Sequence, residues 1–357
     1  MKKFFLDITI FAVITFILIE ISSIILIKLK FLPNGITPSV TLVPNKEFGF
    51  WHHKKRSFKL ASPCWNSKVT YNNYGLRNTK DIDLEKKNKK RIGIIGDSMS
   101  ENIEVSDGKD FGSLLQLSLT DYEILNFSTR STGLGDQLEL YKGFSKNFNL
   151  DYIFLFISDN DFEDNYYLNA RPSQIKYKLE GNTVERIPVN LEFFENQKKF
   201  INKLKKEKII FVKEKLNSFI LYSHIVSYVK YNIYKKKINK VPQNQDDFID
   251  YDKKKLVYSH LVNKFKNSLT NNEELYVFVN LRPKILSPEF YPEKQNIKEM
   301  KNIWGNEIID PSEDGINYLK KINKYNEPYF SFVCDGHYSE LGAKFMANYV
   351  TDYFLKN

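Results

Sequence analysis

Four short apolar runs, at residues 91–95, 123–127, 152–157 and 275–279, constrain the fold more than any other feature of this sequence. Each is too short for a free-standing helix and too uniformly apolar for a strand with one wet face, so each reads as a strand buried on both sides. Around them the apolar period lengthens to that of helices, over residues 112–119, 135–144, 254–269, 315–322 and 340–354. Strands alternating with helices imply a parallel sheet covered on both faces. The expected fold is therefore α/β, a three-layer sandwich with a central parallel sheet.

In open sheets of this kind, ligands bind outside the carboxyl ends of the strands. The first run continues into Gly96-Asp97-Ser98. Glycine permits a sharp turn there, and a helix beginning near the serine would aim backbone N–H groups at a developing negative charge. The second run leads through Asn126-Phe127-Ser128 into Ser131-Thr132-Gly133-Leu134-Gly135. That turn either reverses the chain or brings a backbone N–H to a substrate carbonyl, with Ser131 and Gly133 both candidate donors. The third run ends in Ser158-Asp159-Asn160-Asp161, where Asn160 either closes an Asx-turn or donates to an oxyanion. Near the carboxyl terminus, Cys334-Asp335-Gly336-His337-Tyr338-Ser339 precedes the last helical pattern, for which Ser339 is the expected N-cap. A serine hydroxyl becomes a nucleophile when a base accepts its proton, and a carboxylate fixes the imidazole tautomer. Asp335 and His337 can supply both groups from one loop.

Residues 8–27 are almost continuously apolar, broken by Glu20 and a few hydroxyls, which predicts a transmembrane helix within an anchor at residues 1–30. No small-x-small cleavage site follows, as a signal peptide would need, and flanking lysines on both sides leave the orientation open. Prolines 33, 38, 44 and 63 interrupt residues 31–90, which read as an extended arm packing on a catalytic domain at 91–357. Within that domain a helical insertion is expected at about 162–252. It starts as a loop, continues as a basic amphipathic helix over 191–215 and ends in a more apolar stretch at 218–234, which read either as a cap packed on the main domain or as a membrane helix lying on the surface.

The chain carries 53 basic and 43 acidic residues. Lysine dominates and is scattered through solvated helices, not gathered with arginine and aromatics into a patch, which argues against nucleic acid as a partner. The two cysteines have no CxxC spacing and no histidine placed so as to suggest a zinc site, so no metal site is expected. Two readings stay open for Cys64 and Cys334: separate buried thiols, or a disulfide tying the arm to the His337 loop if the domain faces an oxidising compartment.

Taken together and in this order, the blocks at Gly96-Asp97-Ser98, Asn126 to Gly135, Ser158 to Asp161 and Asp335 to His337 resemble the GDSL/SGNH hydrolase family. Asn73-Tyr74-Gly75-Leu76-Arg77 is similar to a segment that often precedes the nucleophile block in membrane-anchored bacterial members. The resemblance implies Ser98 as nucleophile, His337 as base, Asp335 as the orienting acid, and Ser98 N–H, Asn160 and a second-block N–H as oxyanion donors. It implies no metal or organic cofactor. The second-block offset from Asn126 falls on Ser131, while the nearby glycine is Gly133. The third block opens with Ser158 where glycine is usual. One residue separates Asp335 from His337 where two are common, a shorter form like that of members acting on cell-surface polysaccharides. The expected activity is hydrolysis or transfer of a small acyl group, acetyl first, on an extracytoplasmic glycan. The alternatives are a lipid ester substrate, or an inactive binding or scaffold protein of the cell envelope.

Overall fold

The computed structural model describes residues 2–28, 41–62, 64–86, 88–170, 174–187, 189, 192, 196, 251–281, 291–324, 329–332 and 336–357. The chain divides into two compact units. Among the described residues, the first holds a helix at Lys2–Lys28 and the segment Leu60–Asn66. That helix exposes Phe4, Phe5, Ile10, Phe11 and Leu18. The Thr9 and Ser22 hydroxyls donate back to the Phe5 and Leu18 carbonyls, one turn earlier. Among the described residues, no helix is long and apolar enough to cross a membrane.

The second unit comprises Ser39–Lys59, Ser67–Lys198 and Asn244–Asn357. Its centre is a five-stranded sheet of β1 (Lys90–Ile95), β2 (Tyr122–Asn126), β3 (Tyr152–Ile157), β4 (Glu274–Val279) and β5 (Ile308–Ile309), in the order β5-β4-β3-β1-β2. Every pairing is parallel. Ile94 lies opposite both Asn126 and Phe154, so the turns after β1, β2 and β3 share one edge. The chain leaves β1 toward β2 on one side and takes up β3 on the other. The turns after β1 and β3 therefore flank the point where strand order reverses, the usual place for a ligand crevice.

Successive side chains of a strand point to opposite faces, and here each face has its own core. Ile92, Ile94, Phe154, Phe156 and Phe278 pack with α2 (Phe111–Ser118), α6 (Ser312–Lys321) and α7 (Glu340–Lys356). Leu125, Leu155, Ile157, Val277 and Val279 pack with α3 (Leu134–Gly143), α4 (Tyr251–Ser268) and α5 (Tyr291–Trp304). These are the expected three layers. A short helix, α1 (Ser98–Glu101), follows β1 directly.

The structure departs from the sequence reading in several places. The arm is not irregular: Leu42–Asn45 and Gly49–His52 pair as an antiparallel hairpin, with further strands at Arg56–Ser62 and Trp65–Tyr71. The Asn45 side chain accepts from the Glu47 and Phe48 amides to close the hairpin turn, and Pro44 is tolerated because this two-stranded sheet is all edge. The start of the insertion is likewise a hairpin, Lys176–Glu180 with Thr183–Ile187, turning at Gly181 with φ +58°. Helix α5 is hidden in the sequence because, among the residues whose burial is described, it buries Ile297, Met300 and Trp304 between charged neighbours. The helices expected over 191–215 and 218–234 lie outside the described residues.

Candidate active site

The turn after β1 has room for glycine alone. A Cβ on Gly96 would collide with Ser100 Oγ and come within 3.0 Å of the Phe156 carbonyl oxygen. Asp97 then caps α1, its carboxylate accepting from the Met99 amide at 2.9 Å. This fixes Ser98, half-buried, as the first residue of the helix at the crevice.

His337 arrives on a tight turn. Gly336 sits at φ +78°, a left-handed conformation that costs glycine little. The Gly336 amide donates to the Phe332 carbonyl and the Phe332 amide to that of His337, at 3.0 and 2.8 Å. The neighbouring Tyr338 is bolted to the sheet, its hydroxyl accepting from the Leu281 amide at 2.7 Å and its carbonyl from Asn102 Nδ2 at 3.2 Å. The outcome is a contact of 2.9 Å between His337 Nε2 and Ser98 Oγ, across 239 residues of sequence. The other ring nitrogen, Nδ1, lies 3.5 Å from Glu104 Oε1. Asp335, the acid expected from the sequence, lies outside the described residues.

The two second-block candidates, Gly133 and Ser131, differ in backbone conformation and in what their N–H groups do. The Gly133 N–H already donates to Asp136 Oδ2 at 3.0 Å. Asp136 also accepts from the Ile175 amide at 2.7 Å and Asn165 Nδ2 at 2.9 Å, while burial pushes its carboxyl up to about 7 against these bonds. Ser131, by contrast, adopts φ +63°, and among the described residues no acceptor takes its N–H. The loop around it is pinned by the Thr129 amide on the Gly96 carbonyl at 3.0 Å and the Arg130 amide on Glu101 Oε2 at 2.6 Å.

Asn160 sits in the turn after β3, where its Nδ2 gives one hydrogen to Asp164 Oδ2 at 2.5 Å. A carboxamide carries a second donor on the same nitrogen. Ser158, in the usual place of a glycine, ties this turn to the end of β4, its hydroxyl accepting from Asn280 Nδ2 at 3.0 Å.

One buried cluster has no counterpart in the sequence reading. Glu101, at the end of α1, accepts from Tyr71 Oη at 2.6 Å and faces His52 Nε2 at 3.1 Å. His52 Nδ1 meets the Gly75 carbonyl at 2.8 Å, and its ring stacks on Tyr71. Burial alone would raise the Glu101 carboxyl; His52, Arg130 and the Tyr71 hydroxyl outweigh it and hold the group at about 2. The segment resembling the family's upstream motif thus acts as a brace. Gly75 anchors His52, and buried Arg77 donates to the Val105 carbonyl at 2.7 Å beside the nucleophile helix.

A parallel α/β sheet with a serine and a histidine in contact at the carboxyl ends of its strands is the arrangement expected from the sequence's resemblance to the GDSL/SGNH hydrolases. No family model and no curated protein matches the chain. Solved structures similar to it include an acetyl xylan esterase, AlAXEase, 11% identical over 74% of this chain and 98% of that one, with a TM-score of 0.40. A catalytic mutant of Axe2, an acetylxylan esterase from Geobacillus stearothermophilus, is 12% identical over 75% of this chain and 95% of that one, at 0.39. A member of the lipolytic protein G-D-S-L family from Veillonella parvula DSM 2008 is 9% identical over 75% and 99%, also at 0.39. At these TM-scores the likeness assigns no residue role; the geometry above is the chain's own.

Proposed function

We propose that this protein cleaves esters through a Ser98 acyl-enzyme, and the Ser98–His337 contact of 2.9 Å is the observation that carries the reading. Ser98 Oγ attacks the ester carbonyl as His337 Nε2 takes its proton. The oxyanion that forms is met by the N–H groups of Ser98 and Ser131 and by the Asn160 carboxamide. Collapse expels the alcohol, which recovers the proton from His337. A water, or a second hydroxyl, then attacks the acyl-enzyme by the same route in reverse.

The proposed substrate is a small O-acyl ester, acetyl first, on a cell-envelope glycan. What supports this is the one-residue spacing between Asp335 and His337, like that of family members acting on surface polysaccharides. We further propose that the helix Lys2–Lys28 tethers the enzyme to a membrane. It presents a large exposed apolar surface, and its Thr9 and Ser22 hydroxyls are bonded internally. An extracytoplasmic location is supported by Cys64, which is disulfide-bonded, since such bonds persist in oxidising compartments. The chain's other cysteine, Cys334, lies outside the described residues.

The test is labelling with a fluorophosphonate probe together with hydrolysis of p-nitrophenyl acetate and of an acetylated glycan. Wild type should label and release acetate, while folded Ser98→Ala and His337→Ala do neither. Hydrolysis retained in folded Ser98→Ala would refute the mechanism. Acetate release from the glycan marks an esterase; gain of acetyl on a deacetylated glycan, given a donor, marks a transferase.

A further inference from the structure

We infer that Glu104 is a positioning carboxylate for His337, so that the loop following the nucleophile helix also sets the orientation and charge of the base. The inference rests on the serine-hydrolase reading of the Ser98–His337 pair, and it adds a residue that the four sequence blocks do not contain.

For Ser98 to donate its hydroxyl hydrogen to Nε2 at 2.9 Å, that nitrogen must be bare, which puts the ring's hydrogen on Nδ1. Glu104 Oε1 stands 3.5 Å from that Nδ1–H. The distance is loose for a hydrogen bond, as orienting contacts often are before substrate binds, but it is within ion-pair range of the imidazolium that forms on proton transfer. Glu104 is 4% exposed, and a carboxylate taken out of water is costly unless a cation compensates it. Protonated His337 places a cation 3.5 Å from that carboxylate at the moment catalysis requires one.

The loop at residues 102–110 is built to hold this position. Asn102 turns the chain in the left-handed region at φ +53°, and its side chain ties the Tyr338 carbonyl to the Phe111 amide. Arg77 grips the Val105 carbonyl at 2.7 Å, immediately after Glu104. The loop's other charged groups are turned to other partners. Asp107 accepts from the Thr70 amide at 2.9 Å, Asp110 caps α2 at Ser113 and lies 3.9 Å from Arg77, and Lys109 pairs with Glu340. Glu104 is the one that faces the imidazole.

The test reads His337 itself, so that it does not depend on the enzyme's substrate. Imidazole resonances of the full chain in detergent are followed by NMR from pH 5 to 9 in wild type, Glu104→Gln and Glu104→Asp, with circular dichroism to establish folding. Removing the charge in Glu104→Gln should lower the His337 titration midpoint by about one pH unit, the lower end of what an opposite charge within about 4–6 Å produces. Glu104→Asp should recover part of it. In p-nitrophenyl acetate hydrolysis, the acidic limb of the kcat profile should move in the same direction, with kcat lower and KM unchanged. A His337 midpoint unmoved in folded Glu104→Gln overturns the inference whether or not the protein is active. A moved midpoint in a protein that never hydrolyses an ester or labels with fluorophosphonate would uphold the pairing and overturn the hydrolase reading instead.

Discussion

Replacing Glu101 with glutamine tests whether the buried cluster behind the nucleophile stabilises the fold as an ion pair. Holding that carboxyl at about 2, against an ordinary 4.5, corresponds to about 3 kcal/mol in favour of the folded state. Breaking one side of a buried pair typically costs about 3–5 kcal/mol, so the two estimates meet. The substitution keeps the shape but sets an amide NH₂ among donors from Tyr71, His52 and the Arg130 backbone. Because the carboxyl is lowered in the folded state, its contribution is complete above about pH 4.5 and disappears as pH falls toward 2. Urea unfolding, followed by tryptophan fluorescence, should place Glu101→Gln about 3 kcal/mol below wild type at pH 7, and the gap should shrink steadily below pH 4.5. Because Glu101 ends the helix that Ser98 begins and also holds the Arg130 amide beside Ser131, kcat should fall with stability. A difference under about 1 kcal/mol at pH 7, or one that does not change with acid, would refute the reasoning.

Three further outcomes are expected. Asn160→Ala should lower kcat about 10²- to 10³-fold, as for loss of one oxyanion donor, with KM little changed in steady-state assays. Ser131→Gly keeps both the N–H and the left-handed backbone and should retain activity, whereas Ser131→Pro removes the donor and forbids φ +63°, so kcat should fall by a similar factor. Cys64→Ser should destabilise the protein by about 2–5 kcal/mol, measured as a lowered unfolding midpoint, and thiol titration of unreduced wild type should find Cys64 unreactive.

The sheet was legible because its strands are buried on both faces, which leaves a continuous apolar run that no solvent-facing residue interrupts. All four expected strands stand within one residue of the places read for them. β5, two residues long, and α5, with three buried positions among its described residues, carry too little pattern to be seen. The hairpin at 176–187 is a different case. Gly181-Asn182 between alternating Tyr177, Leu179 and Val184 is a local hairpin signal, masked by the charged, loop-like composition around it.

The site shows where local reading stops. Ser98 and His337, which the structure brings to 2.9 Å of each other, could be singled out because one follows a strand and the other precedes a helix that is itself visible. Glu104 and Glu101 could not, because their roles come from partners the chain brings from far away, and an isolated glutamate in a sequence looks like any solvated charge. The second block is the sharpest instance. A glycine near a turn suggests a left-handed backbone, yet Gly133 is extended, with φ −115°, and it is Ser131 that adopts φ +63°. Gly133 is small for another reason: a Cβ there would come within 2.5 Å of Asn165 Oδ1 and 2.8 Å of Asp164 Cβ. Asn165 in turn donates to Asp136, which takes the Gly133 N–H. The glycine therefore serves packing beneath the loop, and its own N–H is committed to Asp136, which is why the proposed mechanism turns to the serine two residues earlier.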